Sequence, residues 1–146
     1  MIRAATIADL DALMELEVRA FATDRFSRSQ WRHLLTRARG TVLVDRPGGG
    51  TARAAAAVLF RRGSRVAHLY SIAVHPGYRG RGIARRLLRA CHRLAAQRGS
   101  AAMRLEVRER NAAARALYED EGYRLTGQIP SYYADHAAAV RYEKPL

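Results

Sequence analysis

Apolar residues along this chain follow two different periods, which alternate from one segment to the next. Helical spacing, with apolar side chains three and four positions apart, is expected over residues 6–21, 27–40, 81–98 and 111–121. Short apolar runs typical of strands are expected over residues 2–5, 41–46, 52–62, 65–74, 101–107, 123–129 and 138–143. The order β-α-α-β-β-β-α-β-α-β-β predicts an α/β domain with a mixed sheet.

Local signals mark the ends of these helices. Two capping boxes are predicted at helix starts, Thr6 with Asp9 and Ser27 with Gln30. Gly99 and Gly122 suit the positions after helix ends. The segment 52–62 is ambiguous because its four consecutive alanines favour a helix by propensity, but its place before the Gly63-Ser64 turn favours a strand.

Composition narrows the class of protein. With 146 residues, 49% of them hydrophobic, residues 1–146 are expected to form one domain. Cys91 cannot form an internal disulfide alone, and we interpret it as a small buried side chain. No apolar run resembles a signal peptide or a membrane span, so a cytoplasmic location is expected.

The charge is strongly positive. The net charge is +13, and 25 of the 26 basic residues are Arg, with Lys144 the exception. An excess of this size favours polyanionic partners, although many Arg together with many Ala are also typical of a GC-rich genome. No nucleic-acid motif is present and the aromatic residues are scattered, so contact with nucleic acid is expected to be at most a secondary activity.

The most informative segment is a glycine-rich turn between an apolar strand and a helix. It reads Ser71-Ile72-Ala73-Val74-His75-Pro76-Gly77-Tyr78-Arg79-Gly80-Arg81-Gly82-Ile83-Ala84. Glycine permits close approach of the backbone, and the first N–H groups of a helix lack internal partners. The pattern therefore predicts a cradle for a diphosphate.

Two common nucleotide motifs fit this turn poorly. A P-loop requires Lys and Ser or Thr after its last glycine, but Gly82 is followed by Ile83. A dinucleotide fingerprint would place a third glycine where Arg85 stands, and too little chain follows for the remaining βα units.

A third motif fits in detail. Arg79-x-x-Gly82-x-Ala84 resembles the signature of GNAT acetyltransferases, which binds the pyrophosphate of acetyl-CoA. The similarity extends over about residues 69–124 to the RimI-type branch, the ribosomal-protein alanine N-acetyltransferases. It is carried further by Leu105-Glu106-Val107-Arg108, Asn111-Ala112-Ala113-Ala114, Ala116-Leu117-Tyr118-Glu119 and Gly122-Tyr123.

The resemblance implies a fold and a binding site. It implies a mixed, mostly antiparallel sheet of seven strands with four flanking helices, whose fourth and fifth strands splay apart to admit acetyl-CoA. The implied pyrophosphate contacts are Arg79, Gly80, Arg81, Gly82, Ile83 and Ala84. The implied pantetheine contacts are the backbones of Ile72, Ala73 and Val74, one of which is also the implied oxyanion donor. Arg81 and Arg85 have an alternative interpretation as solvated helix charges.

Two residues are candidates for proton transfer. Glu106 interrupts an apolar strand, and the RimI-type branch places its general base there; its alternative is a surface charge paired with Arg104 or Arg108. Tyr118 is the candidate general acid, because a phenol can protonate a leaving thiolate; its alternative is a core tyrosine. Asn111 is interpreted as a helix cap that also touches the cofactor.

The acceptor side is less defined. Tyr132 and Tyr133 match a tyrosine pair of the RimI-type branch and are candidates for gripping a peptide, or else they pack over their hairpin. Asp24, with Asp135 and Glu109, would add negative potential for a basic peptide. The branch usually has a Pro-Trp-Ser element between its first two helices, which lines the peptide pocket. This chain has Ala22-Thr23-Asp24-Arg25-Phe26-Ser27 there, so the difference bears on which acceptor is bound.

The resemblance thus implies an acetyl-CoA-dependent N-acetyltransferase that transfers acetyl directly to a protein N-terminal α-amine, with a ribosomal protein as one candidate acceptor. Acetylation of protein lysine or of a small-molecule amine is the enzymatic alternative. The non-enzymatic alternative is a basic module that binds acetyl-CoA or RNA without catalysis. No metal ligand set is expected.

Overall fold

The computed structural model describes residues 1–36 and 39–146 of the chain. Within these residues the strands are β1 (Ile2–Ala4), β2 (Gly40–Asp45), β3 (Ala54–Leu59), β4 (Val66–Val74), β5 (Ala102–Arg108), β6 (Arg124–Ile129) and β7 (Ala139–Pro145). The α-helices are α1 (Leu10–Ala20), α2 (Arg28–Thr36), α3 (Ile83–Gln97) and α4 (Ala112–Asp120). The predicted order of elements is confirmed. The predicted continuation of α2 across residues 37 and 38 lies outside the described residues.

The strands form one sheet in the order β1-β2-β3-β4-β5-β7-β6. Neighbouring strands are antiparallel except for β4 and β5, which are parallel. The parallel pair is adjacent because α3 connects the end of β4 to the start of β5, as a crossover helix does in a βαβ unit. The predicted mixed, mostly antiparallel sheet of seven strands is therefore confirmed for the described part of the chain.

β4 and β5 pair along only a short stretch. The paired residues are Val66 with Ala102, Ala67 with Met103, and His68 with Arg104. A bulge lies just beyond, because Leu69 and Ser71 face the consecutive residues Val58 and Ala57 of β3 and leave Tyr70 without a partner there. A bulge bends its strand and increases its twist. Beyond it the two strands separate, so the predicted splay is confirmed.

The sheet has a hydrophobic core on each face. One core contains residues of α3 and α4, and the other contains residues of α1 and α2. β3 lies between them, and its alanines alternate: Ala54 and Ala56 face the first core, whereas Ala55 and Ala57 face the second. All four are at most 3% exposed. Small side chains on both faces let helices approach the sheet closely, which explains why a strand with poor intrinsic propensity forms here.

The two predicted capping boxes differ in their geometry. At α2, the Ser27 N–H donates to Gln30 Oε1 at 2.7 Å and the Gln30 N–H donates to Ser27 Oγ at 3.1 Å, so this box is confirmed. At the first helix, a 3₁₀ turn over Ile7–Asp9 precedes α1. The Thr6 N–H donates to Asp9 Oδ2 at 2.8 Å, and the Asp9 carboxylate is also held by arginines.

Asp9 is almost fully buried, with a side chain 1% exposed. Arg3 donates to both of its oxygens, at 2.9 and 2.8 Å, and Arg46 Nη1 donates to Oδ1 at 3.1 Å. The hydrogen bonds from Arg3, aided by Thr6 and Arg46, hold the pKa of Asp9 well below its usual range despite its burial. These contacts tie β1 and the start of α1 to the segment after β2.

We expect Asp9→Ala to lower the free energy of unfolding by about 3 kcal/mol, because it leaves two guanidinium groups without their buried partner. Urea denaturation measures this. Asp11→Ala is the matched control, since Asp11 is 83% exposed and pairs with Arg28 at the surface, and it should cost less than about 1 kcal/mol.

A carboxylate whose pKa is depressed in the folded state stabilises the fold at pH values above its unfolded pKa of about 3.9, and it loses that effect as the pH falls. The difference between Asp9→Ala and the parent should therefore shrink below about pH 4, and a constant difference would contradict this account.

None of the helices in the described ranges is long and apolar enough to span a lipid bilayer.

Candidate active site

A cleft of about 890 Å³ opens where β4 and β5 separate. Its walls come from these two strands, from α3 and α4, and from the segments that follow α1 and β6. The predicted site residues that line it are Asp24, Ile72, Ala73, Val74, Arg79, Ala84, Glu106, Asn111, Tyr118, Tyr132 and Tyr133. The fold thus brings together residues separated by more than one hundred positions in sequence.

Gly80, Arg81, Gly82 and Ile83 do not line this cleft but form the turn beside it. Gly80 and Gly82 have φ values of 79° and 74°, in the left-handed region that favours glycine. Gly82 is the N-cap of α3, and Ile83, which is 2% exposed, packs in the core and can contribute to the turn only through its backbone. The first N–H groups of α3 lack intrahelical acceptors, as a diphosphate cradle requires.

The backbone of β4 is positioned to bind an extended arm. On one side β4 pairs with β3 as far as Val74, but beyond His68 its other side no longer pairs with β5. The unpaired side borders the cleft at Ile72, Ala73 and Val74. A strand edge of this kind accepts an amide-bearing ligand as it would accept another strand.

The two arginines at the start of α3 have different environments. The Arg81 guanidinium lies over the Tyr78 ring, 5.1 Å from its centroid. Arg85 Nη1 instead donates to Asp120 at 2.6 Å and to Glu121 at 2.7 Å. Arg85 is thus occupied in ion pairs that connect α3 to the end of α4, so its structural interpretation is the one the geometry favours.

Asn111 has the geometry of a helix cap. Its Oδ1 accepts a hydrogen bond from the Ala114 N–H at 3.1 Å, at the start of α4. The residue also lines the cleft. Capping fixes its side chain at the cleft wall, so the two roles predicted for it are compatible.

Glu106 is far more constrained than its place in an apolar strand indicated. Its side chain is 6% exposed. Its Oε1 lies 2.6 Å from His68 Nε2, and its Oε2 accepts from Arg141 Nε at 2.9 Å, with Arg104 Nε at 3.5 Å. Burial raises the pKa of Glu106, but the bonds from His68 and Arg141 outweigh it and lower the pKa to about 2. The carboxylate is ionised at neutral pH and intrinsically a weak base.

The alternative prediction that Glu106 pairs with Arg108 is wrong. Arg108 bonds elsewhere: its Nη2 donates to Asp24 Oδ2 at 2.6 Å and its Nη1 to Asp135 Oδ2 at 3.0 Å. Strand alternation does place Arg108 on the same face of β5 as Glu106. Arg108 is, however, the last residue of the strand. There it meets the loops that carry Asp24 and Asp135.

Tyr118 is both a core residue and a cleft residue. It is 5% exposed, and its ring packs 5.6 Å from that of Tyr123 in an edge-on arrangement. Burial raises its pKa well above the usual value of a phenol. The hydroxyl is therefore protonated at any working pH, which is the state a general acid requires.

The acceptor side of the cleft is lined by aromatic rings. Tyr132 and Tyr133 contact each other edge-on with centroids 5.0 Å apart, and Tyr132 is 45% exposed. The Arg108 guanidinium lies 4.1 Å from the centroid of the Tyr133 ring. Burial raises the pKa of Tyr133 to about 12. Tyr133 is thus fixed against the sheet, while Tyr132 presents its ring at the surface.

The negative potential expected from the acidic residues is weaker than their number suggests. Asp24 and Asp135 share one guanidinium, that of Arg108, which leaves a single net negative charge in the group. Glu109 Oε1 accepts from Gln128 Nε2 at 2.6 Å. Because the Gln128 amide is neutral, Glu109 keeps its charge, and Arg108 offsets one of the three negative charges on this side.

Several residues at the site were not predicted from the sequence. Phe26 lies where the RimI-type element is absent, and its ring stacks on that of Tyr70 at 5.4 Å and contacts Trp31 edge-on at 5.0 Å. Glu17 Oε2 accepts from the Phe26 N–H at 3.0 Å and fixes this segment against α1. The unusual segment itself was visible in the sequence, but its contact with Tyr70 depends on the bulge in β4.

Cys91 is fully buried, and burial raises its pKa to about 12, which agrees with its interpretation as a small apolar side chain. Across residues 1–36 and 39–146, no group of three or more His, Cys, Asp or Glu side chains is arranged to hold a metal ion.

Residues 10–123 match the Acetyltransferase (GNAT) family, and the chain belongs to this family. The resemblance that its glycine-rich turn carries is therefore confirmed. Members of the family use acetyl-CoA as their acyl donor, and the glycine turn and open strand edge described above fit that molecule.

The relatives point to one branch of the family. The chain is 43% identical over 67 residues to the [ribosomal protein bS18]-alanine N-acetyltransferase of Escherichia coli K12, a match that covers 46% of this chain and 45% of that protein. It is 46% identical over 65 residues to the N-alpha-acetyltransferase RimI of Mycobacterium tuberculosis, covering 44% of this chain and 39% of that protein. These matches span less than half the length of either relative.

Solved structures extend the similarity to the whole chain. The crystal structure of the ribosomal-protein-S18-alanine N-acetyltransferase from Escherichia coli superimposes with a TM-score of 0.88 and 30% identity, covering 99% of this chain and 92% of that one. A ribosomal-protein-alanine N-acetyltransferase from Brucella melitensis superimposes with a TM-score of 0.83 and 26% identity, covering 100% and 99%. The predicted similarity to the RimI-type branch is confirmed.

Proposed function

We propose that this protein is an acetyl-CoA-dependent N-acetyltransferase that acetylates a protein N-terminal α-amine, with a ribosomal protein as the leading acceptor. The observation that carries the proposal is the separation of β4 and β5 beside the glycine turn of α3. A thioester arm laid along the free edge of β4 would place its acyl group in the cleft between Glu106 and Tyr118.

The proposed reaction is a direct transfer. The neutral amine attacks the thioester carbonyl, a C–N bond forms, and a backbone N–H of β4 near the bulge stabilises the oxyanion. The C–S bond then breaks, and Tyr118 donates its proton to the departing thiolate sulfur. The proton of the amine passes to water held by Glu106, and the phenolate of Tyr118 is reprotonated from solvent.

The geometry of Glu106 favours transfer through water over direct abstraction. With a pKa of about 2, its carboxylate is a poor acceptor for the proton of an amine. Its charge still stabilises a cation that forms nearby, and an ordered water can relay the proton to solvent. His68 and Arg141 fix both carboxylate oxygens and so define where such a water would bind.

The names of the relatives and the chemistry of amines support an N-terminal acceptor. An α-amine with a pKa near 7.7–8.0 is about one-tenth neutral at pH 7, whereas a lysine amine with a pKa near 10.4 is almost entirely protonated. A site without a strong base therefore favours the α-amine. Phe26, in the segment where the RimI-type branch has Pro-Trp-Ser, stacks on Tyr70 of β4, and this difference keeps a lysine or a small-molecule amine as the second candidate.

Thiol release from acetyl-CoA, measured with a panel of peptides, tests the proposal. The panel contains peptides with a free N-terminus, the same peptides with a blocked N-terminus and an internal lysine, and small polyamines. We expect release with the first group, with the acetyl group mapped to the N-terminus by mass spectrometry. Release with only the second or third group would overturn the acceptor, and absence of coenzyme A binding in calorimetry at millimolar ligand would overturn the proposed function itself.

The pH dependence follows from the same geometry. We expect kcat/KM for a peptide to rise with pH through the pKa of its α-amine, near 7.7–8.0, and to reach a plateau above it. Glu106, with a pKa of about 2, is ionised throughout and adds no inflection between pH 5 and 9. A peptide whose α-amine has a lower pKa should shift the midpoint by the same amount. A midpoint that stays constant while the peptide changes would show that an enzyme group controls the rate.

A further inference from the structure

A second pocket lies at the opposite end of the sheet from the proposed donor site. It has a volume of about 420 Å³ and is lined by Arg39, Gly40, Phe60, Arg61, Arg62 and Arg98. These residues come from the start of β2, the turn between β3 and β4, and the end of α3. The glycine turn lies at the other end of β4, whose nine residues span roughly 26 Å from first to last at a rise of about 3.3 Å per residue.

The pocket is strongly positive. Four of its six lining residues are arginines and none is acidic. Within the described ranges, none of these four arginines forms an ion pair with a carboxylate, whereas Arg85, Arg89, Arg108 and Arg141 all do. Exposed like charges gathered without counter-charges repel each other, so an anionic partner would relieve that repulsion.

One of these arginines is preorganised. The Arg98 guanidinium lies over the ring of Phe60, 4.8 Å from its centroid, and its Nη2 donates to Thr41 Oγ1 at 2.7 Å. Its position at the end of α3 is favourable for any cation, because the helix terminus carries partial negative charge. That effect does not explain Arg39, Arg61 or Arg62, which are exposed and belong to no helix in the structure.

We infer that this arginine pocket, defined as Arg39, Arg61, Arg62 and Arg98 around Phe60, binds the phosphate backbone of a nucleic acid. Guanidinium groups match phosphate oxygens in a bidentate geometry, and a guanidinium plane stacked on an aromatic ring is a surface on which a base can also stack. The pocket is a site separate from the acetyl-transfer cleft. The inference does not depend on the proposed function, and its test uses binding alone.

Fluorescence anisotropy with a labelled single-stranded RNA of about 12 nucleotides tests this inference across a range of KCl concentrations. The test variant is Arg61→Ala/Arg62→Ala, in an exposed turn where truncation leaves the cores intact. The control is Arg19→Ala/Arg124→Ala, which removes the same charge from exposed positions in α1 and β6. We expect the test pair to weaken RNA binding about tenfold or more, and to reduce the slope of log Kd against log salt by about 0.7 for each phosphate that is no longer neutralised.

Three outcomes would overturn the inference. The parent protein fails to bind the RNA at low salt; the control pair weakens binding as much as the test pair; or a polyglutamate peptide of equal charge competes as well as unlabelled RNA, which would indicate an acidic protein partner. Coenzyme A affinity, measured on the same preparations by calorimetry, should be equal for the test pair and the parent protein. A selective decrease in RNA affinity with unchanged coenzyme A affinity is the supporting result.

Discussion

Replacing Tyr118 with Phe should lower kcat by about a hundredfold or more while leaving the affinity for coenzyme A nearly unchanged. The substitution removes one oxygen from a side chain that is otherwise packed in the core, so the fold is retained. General acid catalysis contributes about 10² to 10⁴ in rate, and a phenylalanine cannot protonate the thiolate. Steady-state kinetics with a peptide acceptor and calorimetry with coenzyme A measure the two quantities.

Tyr123→Phe is the matched control for this prediction. Tyr123 is 3% exposed and packs against the Tyr118 ring, but its hydroxyl lies 2.7 Å from His92 Nε2 and the residue does not line the cleft. It should lose stability through the broken hydrogen bond and keep most of its kcat. If both variants lose activity equally, packing of the tyrosine pair explains the loss and the role of Tyr118 as an acid is wrong.

Replacing Glu106 with Gln should lower kcat/KM by about a hundredfold. The side chains are nearly identical in shape, but the variant lacks the negative charge that faces His68, Arg104 and Arg141. Arg104 and Arg141 would then add uncompensated positive potential to the cleft, which disfavours a cation formed when the amine attacks. Because the pKa of Glu106 is about 2, the loss should be nearly the same at every pH from 5 to 9.

Two further variants separate catalysis from structure. Glu143→Gln removes a carboxylate from the neighbouring strand β7 and should leave kcat/KM unchanged. Glu106→Asp keeps the charge but retracts it by one methylene, so it should recover part of the activity if the position of the charge matters. Thermal unfolding of all variants shows whether the fold is retained. Full activity of Glu106→Gln in a folded protein would rule out the proposed role.

The segment of residues 71–84 shows how much of the site is local. Its glycines, its arginine and the helix that follows are consecutive in sequence, and their conformation depends mainly on φ values that only glycine adopts without cost. The turn and its similarity to the family signature were therefore predictable. The same holds for Asn111, because a cap is formed by hydrogen bonds within three residues.

The hydrogen-bond partners of Glu106 could not be predicted from the sequence. Its position was predicted, yet its partners His68 and Arg141 lie 38 and 35 residues away in sequence. The pairing of β5 with β7 places Arg141 beside it, and the short parallel pairing with β4 places His68 there. Their combined effect lowers its pKa to about 2, which supports the proposed role in which Glu106 acts through its charge and a bound water.

The sequence alone determined the order of the elements, the glycine turn and the helix caps, because each depends on residue type and short spacing. The candidate acid and base came from residue type together with the family resemblance. Only the tertiary structure decided which charges meet. Strand register joined Glu106 to His68 and Arg141, a bulge at Tyr70 fixed the point at which the predicted separation of β4 and β5 begins, and distant turns gathered four arginines into one pocket. Electrostatic and packing interactions depend on distance in space, which a linear pattern does not encode.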